Sequence, residues 1–414
     1  MLAHLLSVSI RLFHASIIGI FRLIIKKEFF FLKKFVVVIC VCAFFVVPLR
    51  VELKIQYISY VKQALLISLA ALAAFVLSWV IYPVIYRYAQ AKNIVDSPNY
   101  RKLQKKPVPL LGGVVIALAM VFPTLVFDSY ATHENVHIAI AFICLLLVIG
   151  VLDDIYNLSV SLRFIMEATI IGLYIWTTQT MINDLHGLWQ VEQIPTAIAV
   201  ILSILAGVGI INSINLIDGI DGYSSGFGIM SCSLFAILFL TVGDWFWGGL
   251  LLIITAAIIP FFCYNVFSTR KKMFIGDGGT LMIGAILTMA VFQLLSSESI
   301  CNEWKDKDMG MVAFCLAVMC IPVFDTLRVM TERICRKVSP FKADKTHLHH
   351  LFLEHNLNHL QTTSILLSIN LLIVGIWWGA WQLGASIDVQ LYVVIALGML
   401  STFGLSWGLR KAKG

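Results

Sequence analysis

The chain has 414 residues, 60% of them hydrophobic and only 13% charged, with a mean hydropathy of +0.91. Soluble domains carry about 25% charged residues, so this composition excludes a soluble globular protein and points to a polytopic membrane protein. The net charge of +7 is no nucleic-acid signature here, because Lys and Arg mark the cytoplasmic loops of membrane proteins.

In chain order, residues 1–60 read as an N-terminal extension. Arg11, His14, Arg22, Lys26 and Lys27 interrupt apolar residues, as in a helix lying on a membrane surface. An apolar run over about 35–49 follows Lys33 and Lys34 and lacks an A-x-A cleavage pattern, so it reads as an uncleaved anchor. Residues 61–414 form the transmembrane domain. A span needs about 20 apolar residues, and eleven such stretches fall at roughly 63–86, 111–127, 136–152, 162–181, 195–214, 223–242, 247–267, 279–297, 309–330, 361–382 and 389–408. The expected fold is an all-α bundle of about eleven transmembrane helices, with room for one more at the N-terminus. The nine cysteines, without a C-x-x-C pair, lie mostly inside these runs and read as small core hydrophobes.

Basic residues occupy alternate loops: Arg87 to Lys106, Arg163, Arg270 to Lys272, Arg328 to Lys345, and Arg410 to Lys413. That set is expected to be cytoplasmic in a multi-pass membrane protein. The dense polar clusters belong to the same set: Asp96 to Gly113, Asp153-Asp154, Asn212 to Gly222, Gly276 to Gly279, and Asp344 to His350. Five clusters on one face point to one site built from several loops.

Asn212, Asn215, Asp218 and Asp221 recur every third residue before Gly222. Carboxylates beside amide oxygens make a hard-oxygen surface suited to Mg²⁺ and a phosphate substrate, although Asn, Asp and Gly are also ordinary helix caps. Asp153-Asp154 ends an apolar run, where an acidic pair opposes the helix dipole and so is not explained by capping. Gly276-Asp277-Gly278-Gly279 opens the next span. Asp277 competes there as an N-cap, while the glycines would let a phosphate or metal approach the backbone. His347, His349 and His350 lack the Cys or H-E-x-x-H context of a zinc site and read as donors to phosphate or sugar oxygens. Arg101 and Lys102 suit anionic headgroups in general.

In this order the clusters resemble the polyprenyl-phosphate N-acetylhexosamine-1-phosphate transferase family, through D-x-P-N-x-R-K…P-x-x-G-G at 96–113, G-x-x-D-D at 150–154, N-x-x-N-x-x-D-G-x-D-G at 212–222, G-D-x-G at 276–279 and H-x-H-H at 347–350. The form Asp153-Asp-Ile-Tyr-Asn-Leu158 and the H-x-H-H loop are similar to the WecA/TagO branch. Gln104, Tyr223 and Lys345 stand where the family usually has His, Leu and Arg.

The resemblance implies transfer of a sugar 1-phosphate, N-acetylglucosamine 1-phosphate for this branch, from a UDP-N-acetylhexosamine to undecaprenyl phosphate with release of UMP. It also implies Mg²⁺, with Mn²⁺ as substitute, held by Asn215 and Asp277. Catalytic roles fall to Asp153, Asp154, Asp218 and Asp221. Substrate contacts fall to Asn99, Arg101, Lys102, Asn212, Lys345, His347, His349 and His350. No nucleic-acid partner is expected, and a homodimer is compatible with the reading. The competing readings are a phospho-N-acetylmuramoyl-pentapeptide transferase, an Asp-rich intramembrane prenyltransferase, and a lipid or sugar transporter with ionisable groups at mid-bilayer, for which Glu167 would be the clearest residue.

Overall fold

A computed structural model describes residues 54–96, 107–131, 136–191, 193–299, 308–341 and 345–413. The anchor reading for the N-terminal extension, and the site residues Asn99, Arg101 and Lys102, lie outside them. Ile55–Gly414 form one compact unit.

The unit is helical, as the composition requires. α1 spans Lys54–Ala91, followed by a short antiparallel pair of β1 (Val95–Asp96) and β2 (Val108–Pro109). Then come α2 (Gly112–Ala131), α3 (Val136–Tyr156), α4 (Val160–Thr178), α5 (Thr196–Leu216), α6 (Tyr223–Thr241), α7 (Trp245–Phe267) and α8 (Gly276–Leu294). The chain ends with α9 (Met311–Val318), α10 (Cys320–Cys335), α11 (Leu348–Glu354), α12 (His359–Gln382), α13 (Ile387–Met399), a π-helical turn over Leu400–Gly404, and α14 (Leu405–Lys413). Among the described residues, nine helices are long and apolar enough to cross a membrane. The ninth of these runs through α13, the π-helical turn and α14, and the bent pair α9–α10 and the apolar α2 account for the other two segments expected from the sequence. The chain is a multi-pass all-α membrane protein.

α8 is the axis of the bundle. Its neighbours include α2, α3, α5 and α6, and 89% of its apolar window is buried, against 22% for α1 and α4. Lipid tails are as apolar as leucine, so helices in a membrane associate by close packing, which small residues permit. α8 supplies them: a Cβ placed on Gly284 would lie 2.7 Å from Ile211 Cα of α5.

One expected span is not straight. The segment near 309–330 breaks at Met319 and bends by 75° between α9 and α10. Pro322 has no N–H to give the Val318 carbonyl, its normal helical partner four residues back. Buried Asn370 of α12 fills the gap. Its Nδ2 donates to Ala317 O (3.2 Å) and Val318 O (2.9 Å), and its Oδ1 accepts from Ile321 N (3.0 Å). Broken backbone at membrane depth survives only where neighbouring groups satisfy it. The bend redirects α10, which carries Asp325 and Arg328 into the protein interior.

Candidate active site

Backbone approach at glycines brings the motifs together. After β2 the chain runs beside residues 273–275. Phe274 N donates to Pro109 O (2.8 Å), Gly112 N to Phe274 O (3.0 Å) and Gly113 N to Ile275 O (2.9 Å). A Cβ on Gly113 would lie 2.4 Å from Gly279 Cα, and one on Gly150 would lie 2.4 Å from the Asp277 carbonyl. The glycines of three motifs are therefore packing contacts among α2, α3 and α8. The space on the Cβ side of each is filled by protein, and at Gly276 to Gly279, where the sequence suggested that a phosphate or metal could approach the backbone, the N–H groups of Asp277 and Gly278 are engaged by Asp154. Gly276 adds a conformational demand, with φ of +72°, a region open to glycine at little cost.

Asp154, at the C-terminal end of α3, caps α8 from outside. Its Oδ1 accepts from Asp277 N (3.1 Å) and its Oδ2 from Gly278 N (3.3 Å). A carboxylate at the end of its own helix is unfavourable, but here it meets the positive end of another. Asp277 is thus released from capping. Its Oδ1 accepts from Asn215 Nδ2 (2.8 Å), which also donates to Thr280 Oγ1 (2.9 Å). Asp277 and Asp153 are electrostatic neighbours.

Asp153 is held in place by Leu158 N at 2.8 Å on Oδ1 and Arg163 at 2.8 Å on Oδ2. Arg163 also donates to Asn212 Oδ1 (3.1 Å) and lies 3.6 Å from Glu167 Oε1. Asn212 Nδ2 bonds Glu167 and Val208 O, so the Asn212 amide is engaged by protein on both sides. Glu167, fully buried, belongs to this network next to Asp153. Among the described residues no Lys or Arg pairs directly with Asp154, Asp218 or Asp277.

The loop between α5 and α6 borders the carboxylates. Burial pushes Asp218 up to about 7, reinforced by the charges of Asp277 and Asp221 and opposed by a hydrogen bond from Ser224. Burial also raises the Asp221 carboxyl, but hydrogen bonds from His359 and Lys272 outweigh it and hold Asp221 below the usual range. Gly222 N donates to Asn265 Oδ1 (2.7 Å), whose Nδ2 reaches Met273 O (2.9 Å). That ties this loop to the one before α8.

The histidines come from α11 and the residue before it. His347 and His349 are buried and stack with centroids 5.9 Å apart, and His350 packs on His349 at 4.2 Å. Gly219 touches this cluster, since a Cβ there would meet His349 Nε2 at 2.1 Å. Burial, then the neighbouring His350 and His347, hold the His349 pKa well below the usual histidine value. Lys345 is exposed. Thus Asp153, Asp154, Asn212, Asn215 and Asp277 form one group, His347, His349 and His350 a second, and the 217–222 loop with Asp218 and Asp221 lies against both.

Sequence reasoning missed Arg163 and Asp325 as site residues. Asp325 Oδ2 lies 2.9 Å from His347 Nδ1. The missed signal was an ionisable residue within an apolar span, which is costly unless it has a function or a partner.

The donor set suits a hard divalent cation. Mg²⁺ keeps several waters and commonly uses one or two carboxylates plus substrate phosphates. Among the described residues no three His, Cys, Asp or Glu side chains gather into a cage of their own, and Mg²⁺ does not need one. Asp277, with its amide partner and the carboxylates of Asp153 and Asp154 beside it, fits that mode.

The fold is that of a multi-pass membrane protein whose acidic, amide and histidine groups meet at one end of a helix bundle. The model of glycosyl transferase family 4 matches residues 136–295. The probable undecaprenyl-phosphate N-acetylglucosaminyl 1-phosphate transferase of Bacillus subtilis (strain 168) is 29% identical over 289 residues, covering 69% of this chain and 77% of the relative. The undecaprenyl-phosphate alpha-N-acetylglucosaminyl 1-phosphate transferase of Escherichia coli (strain K12) is 30% identical over 278 residues, 64% of this chain and 71% of the relative. The enzyme of that name from Salmonella typhimurium is 25% identical over 354 residues, 84% of this chain and 92% of the relative. The chain belongs to the glycosyl transferase family 4 group of polyprenyl-phosphate sugar-1-phosphate transferases.

Proposed function

We propose that this enzyme transfers N-acetylglucosamine 1-phosphate from UDP-N-acetylglucosamine to undecaprenyl phosphate, giving undecaprenyl diphosphate N-acetylglucosamine and UMP, on the cytoplasmic face of the membrane. The observation that carries the reading is the meeting of an acidic, amide-rich group and a histidine cluster across one loop, in a chain whose relatives bear that name.

The lipid phosphate oxygen attacks the β-phosphorus of the donor. A new P–O bond forms to the lipid, and the bond from that phosphorus to the bridging oxygen breaks, leaving on UMP. The lipid phosphate is already largely ionised at neutral pH, so the reaction needs positioning and charge compensation more than a base. Arg163 holds Asp153 and brings a cation beside the two anions that must meet. Asn215 and Asp277 would hold Mg²⁺, with Mn²⁺ as substitute; bound there, the cation would neutralise charge on the diphosphate. Asp154 fixes the start of α8 and so the position of Asp277. The histidines face the sugar phosphate, and an N-acetyl group would complete their hydrogen bonds. A site built to bond one polar group rejects analogues lacking it by roughly 10⁴-fold.

Purified protein with undecaprenyl phosphate and Mg²⁺ should release UMP from UDP-N-acetylglucosamine and form the lipid-linked sugar seen by mass spectrometry. Turnover with UDP-glucose should be far lower. Equal use of UDP-glucose, or preference for UDP-N-acetylmuramoyl-pentapeptide, would move the enzyme to another branch. Lipid or sugar movement without UMP release would make it a transporter.

A further inference from the structure

His347 is 5% exposed and its Nε2 is buried without a hydrogen-bond partner among the described residues. The other ring nitrogen, Nδ1, is held 2.9 Å from Asp325 Oδ2. Asp325, itself 2% exposed, accepts from Arg328 Nε (3.1 Å) and Nη2 (2.7 Å), and from the Leu348 backbone N–H at 3.3 Å and 3.2 Å. Arg328 is fully buried. It is fixed in turn by Glu332 (2.7 Å), Ser406 Oγ (3.1 Å) and Thr346 O (2.6 Å).

We propose that Asp325 is a positioning residue that sets the tautomer and aim of His347, so that His347 Nε2 is the atom offered to the donor's sugar phosphate. An ionised carboxylate only accepts hydrogen bonds, so the ring nitrogen facing it carries the proton. In the neutral ring Nε2 is then a bare acceptor for a sugar hydroxyl or amide N–H. Arg328 is the counterion that lets a buried carboxylate stay ionised, since removing a charge from water is costly without a hydrogen-bonded partner. The bond from Leu348 N ties the same carboxylate to the first turn of α11, so backbone and ring are aimed together. The arrangement depends on the bend at Met319, because a straight continuation of α9 would carry Asp325 in another direction.

This inference rests on the reading that the histidine cluster meets the donor, and its test separates the two. Asp325→Asn preserves shape but can donate to Nδ1, which moves the ring proton to Nε2. Loss of the carboxylate that orients a metal-bound histidine costs about 10–100-fold, and the same ordering of a substrate-facing ring sets the scale here. We expect that fall in kcat/KM for UDP-N-acetylglucosamine, with KM for undecaprenyl phosphate unchanged. In a His347→Ala background Asp325→Asn should have no further effect, whereas a merely structural role would multiply with it. Wild-type kcat/KM in Asp325→Asn, or multiplying effects, would overturn the proposal. If Asp325→Asn does not fold, His347→Asn serves: it keeps a donor for Asp325 and has no atom at the Nε2 position. It should melt like wild type and be as inactive as His347→Ala, and retained activity would overturn the proposal. Nitrogen-15 NMR of histidine-labelled protein reads the tautomer whatever the substrate. The His347 signal should show a protonated Nδ1 in the wild type, and a proton on Nε2 alone would end the inference even if the transferase reading stands. Failure of the wild type to release UMP, with Nδ1 protonated, would end the transferase reading and leave the positioning role of Asp325 intact.

Discussion

At the scale of single residues, Asp277 has the clearest expected effect. Asp154 relieves it of capping and Asn215 orients one of its oxygens, which leaves a carboxylate beside other carboxylates. Asp277→Asn keeps the volume and removes the charge. UMP release should fall at least 100-fold at every Mg²⁺ concentration while the melting temperature in detergent stays close to wild type; a mutant that matches wild type, or wild-type activity undiminished in EDTA, would remove the metal role. Gly150 tests the packing claim. Its Cβ would strike the Asp277 backbone at 2.4 Å, and overpacking costs about 1–3 kcal/mol. Gly150→Ala should lower thermal stability and displace Asp277, cutting activity further than the stability loss explains. Gly172→Ala is the control, because the nearest atom to its Cβ is Ile204 Cδ1 at 3.9 Å, and it should be neutral in both measurements. The sequence showed Asp277 and Gly150 as parts of motifs. It could not show that the glycines serve helix crossing, because a glycine that admits a ligand and one that admits a backbone look alike until the neighbour is known.

At the scale of elements, apolar length was enough to place the helices, because a span is set by bilayer thickness and needs no tertiary information. The break at Met319 was not legible in that way. Pro322 was visible, but a proline in a membrane helix is tolerated when neighbours satisfy the freed groups, and that neighbour, Asn370, lies far along the chain. Likewise Arg328 read as part of a basic loop and Asp325 went unread, because only the bend carries the two inward. Asn370→Leu tests this account. It would leave Ile321 N and two carbonyls without their side-chain partner, where an unsatisfied buried group costs about 1–3 kcal/mol. We expect a loss of about 2 kcal/mol in reversible SDS unfolding, with activity reduced through misplacement of Asp325 and His347. Unchanged stability would mean that the bend is held by other contacts.

At the scale of the whole molecule, the assembled groups have one geometric property in common. Asp153 and Asn215 end α3 and α5, Asp277 begins α8, and the loop carrying Arg270, Lys271 and Lys272 adjoins them through Asn265 and Met273. The motifs and this basic loop therefore share one end of the bundle. Basic loops remain cytoplasmic during insertion, so the end that holds the site should face the cytoplasm, where a nucleotide donor is made. The opposite end is marked by Leu383, 89% exposed between α12 and α13. In a cysteine-free background, Lys271→Cys should resist a membrane-impermeant thiol reagent in intact cells and react after permeabilisation. Leu383→Cys should react in intact cells. The reverse pattern would put the acidic cluster outside the cell, away from the UDP-sugar. It would overturn the cytoplasmic placement even if the purified protein transfers sugar phosphate.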